Sequence, residues 1–205
     1  MRRASLFLFG VGVLLSSPAL VWAQQGRTVA ILMPGAGGIQ PNDFLVRNQS
    51  KIRGAGIETR LTTSPSEAAG IARTEKQKGR KVVIVGMSKG ALHVGQAIAA
   101  GAPVDGVVLV SGMLREAASA MGAPTKLPPT LIVHHRKDEC RFTLPATVGF
   151  FREWSGGKAR VTWITTTGVP PPGPKGDPCR PFGAHGFFMQ DGPAVSAIVG
   201  FVRSR

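Results

Sequence analysis

Apolar residues gather in short runs at positions 28–33, 82–85, 107–110 and 130–133, with two weaker strand-like runs at 58–62 and 161–165. The central runs are nearly pure Val, Ile and Leu without polar alternation, as strands buried on both faces require. Between most of them the apolar positions recur at helical spacing instead: 42–52, 66–78, 89–100, 144–154 and 193–202. The last of these sets Val195, Ile198, Val199 and Val202 on one face, with Pro193 in its first turn. Alternating strand and helix predicts an α/β protein, a three-layer α/β/α sandwich around a mostly parallel sheet. Two stretches fit neither period. Residues 115–129 read as a weak helix ending in a Pro-rich link, and 166–183 are crowded with Pro and Gly, including Pro170-Pro171-Pro172-Gly173-Pro174. Loops of that length in a compact domain are usually functional or mobile.

The amino terminus stands apart from this pattern. Arg2 and Arg3 precede an apolar run from Leu6 to Leu20, broken at Ser16-Ser17-Pro18, and Val21-Trp22-Ala23 supplies small or tolerated residues before a cut. That is the layout of a secretory signal peptide, and the run is shorter than the ~18 residues of a membrane anchor. The expected organisation is therefore a signal peptide at 1–23 and one domain at 24–205, whose roughly 180 residues suffice for a sizeable core. No internal repeat or second domain is visible.

Charge changes the picture little. The formal net charge of +14 falls to +12 without Arg2 and Arg3, but the cations are scattered, with no basic helix or aromatic platform of the kind nucleic-acid binders use. For an exported, periplasmic or secreted chain, anionic envelope lipid or polymer is the more natural neighbour, in weak electrostatic contact. Export also bears on Cys140 and Cys179, the two cysteines of the chain. In an oxidising compartment an even pair is expected to form a disulfide.

The chemistry centres on KVVIVGMSKGALHVGQAIAAG, residues 81–101. A Val-rich strand runs directly into an Ala-rich helix through Gly86-Met87-Ser88-Lys89-Gly90. In Gly-x-Ser-x-Gly the serine occupies a sharp strand-to-helix turn, the glycines permit close backbone approach, and the hydroxyl projects at the carboxyl end of the sheet. The free N–H groups of the following helix, that of Lys89 first, face a developing oxyanion.

A serine hydroxyl needs a base to take its proton and a third group to orient that base. In a doubly wound sheet the acid belongs after a late strand and the histidine before the last helix. TLIVHHRKDEC supplies Asp138, with Glu139 as its alternate, and PFGAHGFF supplies His185. His93 lies inside the helix after the serine and reads as a packing or surface residue. His134 and His135 point to opposite faces, one read as the floor of the site and the other as structural. A Cys140–Cys179 bond would tie the acid loop to the histidine loop. The second oxyanion donor is expected from Pro34-Gly35-Ala36-Gly37-Gly38, with Ala36 as the choice and Gly37 the alternate. That loop lacks the dinucleotide fingerprint and the Lys-Ser/Thr of a phosphate-binding loop.

Taken together, LMPGAGG, NDFLVRNQ, GMSKG, VHHRKDEC, Pro178-Cys179 and AHGF resemble the α/β-hydrolase superfamily, and within it small exported bacterial hydrolases of unassigned substrate. The resemblance spans most of the mature chain. It implies a minimal α/β-hydrolase fold with Ser88, His185 and Asp138 as a triad, Ala36 and Lys89 at the oxyanion hole, and no cofactor or metal. The segment around Arg47 shares in it, with Arg47 expected at the site entrance. No insertion long enough for a lid domain follows Ser111, which implies an open site and small or polymer-end acyl substrates. The competing reading is a catalytically inactive hydrolase fold that binds an anionic envelope polymer, against which the complete serine, acid and histidine set argues.

Overall fold

The computed structural model describes residues 28–165 and 176–205. The signal-peptide segment and the Pro170–Pro174 run lie outside the described residues. Six strands, β1 (Val29–Met33), β2 (Glu58–Leu61), β3 (Val82–Met87), β4 (Gly106–Val110), β5 (Thr130–His135) and β6 (Ala159–Ile164), form one sheet in the order β2-β1-β3-β4-β5-β6. Every pairing is parallel, from Val29 opposite Glu58 to His135 opposite Ile164. Such a sheet needs both faces covered, and alternate residues of each strand serve the two faces. Ile31, Met33, Ile84, Leu109 and Ile132 pack against α3 (Pro65–Gln77), α4 (Lys89–Ala99), α5 (Leu114–Met121) and α6 (Ala146–Trp154). Ala30, Leu32, Val83, Val85, Val110 and Val133 pack against α1 (Phe44–Arg47), α2 (Gln49–Gly54) and α7 (Asp191–Arg203). Full burial of each Val, Leu or Ile contributes about 1.5–3 kcal/mol against its exposed state.

One expectation needs correction. The helix expected over 42–52 is broken at Asn48, whose φ of −102° and ψ of 4° interrupt the repeat. The buried Asn48 side chain donates to the Phe44 carbonyl at 3.0 Å, so the polar side chain competes for the backbone and turns the chain. The weak stretch after residue 114 is a two-turn helix, α5, stopped at Gly122 with φ 75° and followed by a 3-10 turn at Pro124–Lys126. The connection from β4 to β5 therefore adds no lid.

Candidate active site

Ser88 stands between β3 and α4 with φ 52° and ψ −116°. A non-glycine residue held there costs roughly 1–3 kcal/mol, and the surroundings over-determine it. Its N–H donates to the Val110 carbonyl at 3.0 Å, and its carbonyl accepts from Ala91 at 3.0 Å and Met113 at 3.1 Å. The flanking glycines have steric causes. A Cβ on Gly86 would lie 2.5 Å from the Gly90 carbonyl oxygen, and one on Gly90 would lie 1.9 Å from that of Met33. The strand, the turn and the loop after β1 are thus pressed together at this point. Lys89 opens α4, so its N–H is among those a helix leaves unpaired at its start.

Opposite this turn, Ala36 and Gly37 sit exposed on the loop that leaves β1. Asp43 shapes that loop. Its Oδ2 accepts from the Gly35 N–H at 2.9 Å, while its Oδ1 accepts from the Leu45 N–H at 2.8 Å and caps α1. Burial raises the Asp43 pKa above the ordinary carboxylate value, and the backbone donors together with Arg47 pull the other way.

Asp138 follows β5 and is buried, whereas Glu139 is exposed. His185 Nδ1 lies 3.0 Å from Asp138 Oδ2. The Thr143 hydroxyl donates to that same oxygen at 2.9 Å and stands 3.0 Å from His185 Nδ1. The Cys140 N–H donates to the other carboxylate oxygen at 2.9 Å. An ionised carboxylate only accepts, so this arrangement assigns a proton to Nδ1 and leaves the lone pair of the neutral ring on Nε2. Cys140 is bonded to Cys179, with their Cα atoms 4.5 Å apart. The half-cystine whose amide holds the acid is therefore linked to the segment that leads into the histidine loop.

Ala36, Ser88, Lys89, Phe142, the disulfide and His185 all line one cleft of about 560 Å³. Arg47 does not line it. Its guanidinium spans the Asp191 carboxylate at 2.7 and 3.1 Å, donates to the Asn42 carbonyl at 2.8 Å and also donates to the Gly186 carbonyl. It lies over the Phe44 ring, which packs on the buried Phe187 ring at 5.1 Å. Arg47 is a clamp between the loop after β1 and the residue after His185, not an entrance residue.

Neither of the paired histidines forms the floor of the cleft. His134 is fully buried behind the acid, its Nε2 3.9 Å from Asp138 Oδ2 and its ring beside Trp163. His135 is buried edge-on to Phe187, and its Nδ1 accepts from the Lys137 N–H. Burial lowers the pKa of both. His93 is half-buried on α4, its pKa lowered by burial and then by Lys89, and it takes no part in the cleft. Thr143 is the residue that sequence reasoning missed. Its role depends on a contact 42 positions along the chain, and no local pattern marks it.

No family model matches the chain, and no curated protein matches it in sequence. Solved structures do match in shape. A protein described as a hydrolase of the alpha/beta superfamily from Xanthomonas campestris superposes with a TM-score of 0.60 at 18% identity, over 87% of this chain and 99% of its own. An esterase of Pyrococcus furiosus gives 0.61 at 11% identity, over 88% and 84%. A dienelactone hydrolase from Anabaena variabilis gives 0.57 at 16% identity, over 87% and 85%. At such identities the likeness is one of architecture, and it agrees with the six-stranded parallel sheet flanked by helices: the chain has the α/β-hydrolase fold.

Proposed function

We propose that this chain is an exported serine hydrolase that cleaves an ester or thioester through an acyl-enzyme. The observation that carries the reading is the Asp138–His185 pair, braced by Thr143, beside the cleft that Ser88 also lines. In this mechanism Nε2 of His185 takes the proton of Ser88 as the hydroxyl attacks the acyl carbon, and Asp138 stabilises the imidazolium that forms. The N–H groups of Lys89 and Ala36 receive the negative charge that develops on the carbonyl oxygen. Collapse expels the alcohol or thiol, which takes its proton from His185. Water, deprotonated by the same ring, then frees the acid and restores Ser88. A cleft of this size suits a small acyl group or the end of a polymer. Solved structures with this fold are described as esterases and hydrolases, which supports the reaction class, and the disulfide together with the N-terminal leader pattern supports export.

Labelling by a fluorophosphonate probe, followed by hydrolysis of a panel of short acyl esters, tests the reading. The wild-type protein should label and turn over esters. Ser88→Ala should do neither while keeping its circular dichroism spectrum. Equal labelling of that variant would sink the assignment.

A second expectation follows from Cys140. Because its amide holds the Asp138 carboxylate, reducing the disulfide should loosen the acid and histidine loops before the sheet, whose central strands are buried on their own account. The bond closes a loop of 39 positions and is worth about 4 kcal/mol in the chain-entropy description. Under reductant at room temperature, turnover should fall further than the far-UV helical signal. A parallel fall of both along one thermal transition would show only general destabilisation.

A further inference from the structure

Among the described residues, the large hydrophobic side chains left exposed are Ile39, Phe142, Leu144, Phe182, Phe188 and Met189. All six stand on three segments: the loop after β1, the loop after β5, and the histidine loop before α7. In a parallel sheet the two strand-end loops belong to one end, and the cleft joins the third segment to them. Phe142 lines the cleft beside Ser88, and Phe182 lines the adjoining hollow with Lys137 and Arg180. Apolar exposure is therefore segregated to the rim of the site.

The rim is built rather than incidental. Phe187 and Met189 take φ of 55° and 59°, a left-handed backbone that side chains other than glycine seldom adopt. This turn buries Phe187 completely while leaving Met189 at 74% exposure and Phe188 at 40%. Phe188 meets Phe182 edge to face at 5.6 Å, and the Arg141 guanidinium lies 4.6 Å over the Phe142 ring. Cations share these loops: Arg136, Lys137, Arg141 and Arg180 are exposed there, against the exposed carboxylates Glu139 and Asp177.

We propose that this rim docks on an anionic lipid surface, with Phe182, Phe188, Met189, Phe142, Leu144 and Ile39 entering the headgroup boundary and the surrounding cations meeting lipid phosphates. Apolar side chains ringed by Lys and Arg are the composition that binds such an interface, where apolar burial and charge attraction add. A hydrated acidic polymer would use the cations but leave Ile39, Leu144 and Met189 idle, and base stacking would do the same. Combined with the hydrolase reading, on which this consequence rests, docking opens the cleft toward the lipid and makes an acyl ester carried in that surface the substrate class.

Vesicle co-sedimentation with Ser88→Ala protein tests docking apart from catalysis, while fluorophosphonate labelling of the wild type judges the hydrolase reading independently. Binding to phosphatidylcholine vesicles containing phosphatidylglycerol should be about tenfold or more tighter than to phosphatidylcholine alone. Adding Phe188→Ser and Met189→Ser should weaken it by about tenfold or more at an unchanged melting temperature. Higher salt should weaken binding without abolishing it. Absence of binding to the anionic vesicles, indifference to the two rim substitutions, equal competition by a soluble sulfated polysaccharide, or self-association that occupies the rim would each overturn the proposal.

Discussion

Asp138→Asn is expected to lower kcat/KM for ester hydrolysis by roughly a thousandfold to ten-thousandfold while leaving the protein folded. The reason lies in the donors around the carboxylate. Cys140 N–H points at one oxygen, and the Thr143 hydroxyl and His185 Nδ1 point at the other. An asparagine offers one acceptor and one donor. With its NH2 toward His185 it takes the place of the carboxylate as a donor to Nδ1, driving the ring proton to Nε2, where it can no longer accept from Ser88. With its oxygen toward His185, the NH2 instead opposes the Cys140 N–H, and no charge remains to steady the imidazolium. Glu139 is exposed and cannot take over. Thr143→Val removes one hydrogen bond to a charged group, so its loss should be smaller, about tenfold to a hundredfold. Steady-state kinetics on one short ester, with melting curves alongside, separates the two. Wild-type kinetics from Asp138→Asn would remove this carboxylate from the mechanism.

Gly90→Ala should be the most disruptive single methyl group in the described structure. The added Cβ would lie 1.9 Å from the Met33 carbonyl oxygen and 2.7 Å from that of Pro34. Both are backbone atoms, so no side chain can swing away. The end of β1 and the start of α4 would have to part, and with them the segments carrying Ala36 and Lys89. A loss above about 4 kcal/mol is expected, a large share of the roughly 5–15 kcal/mol that holds a domain. Gly149→Ala is the control. It lies in α6 with nothing within 4 Å of an added Cβ, and alanine there should gain up to about 1 kcal/mol in helix propensity. Urea unfolding followed by fluorescence would show the contrast, and equal midpoints for Gly90→Ala and wild type would refute the close packing.

The physics behind these two variants also marks what the sequence disclosed. Strands β1, β3, β4 and β5 were legible because complete burial forces near-uniform apolar runs, and the Ser88 turn because its glycines answer a steric demand within a few residues. The edge strands were fainter. β2 and β6 are half-exposed, so Arg60, Arg160 and Thr162 break the apolar run. What stayed hidden depends on partners far along the chain. Thr143 looks like any loop threonine until His185 is beside it, and Arg47 reads as the last residue of a short helix until Asp191 and Gly186 arrive. Two adjacent histidines reveal alternate facing, but not that Asp138 and Phe187 would cover both of them.

The Arg47 clamp carries a consequence for the order of assembly. Its partners Gly186 and Asp191 lie 139 and 144 positions along the chain, and the described residues of the histidine loop it holds contribute no strand to the sheet. Long loops close late, after local and sheet contacts have reduced the entropy of joining their ends. On the proposed reading, a chain that had formed only β1 through β5 would hold Ser88 in its turn without the Asp138–His185 pair beside it. Chemical competence would then be a separate and final event, with the serine turn shaped but silent until the histidine loop is clamped.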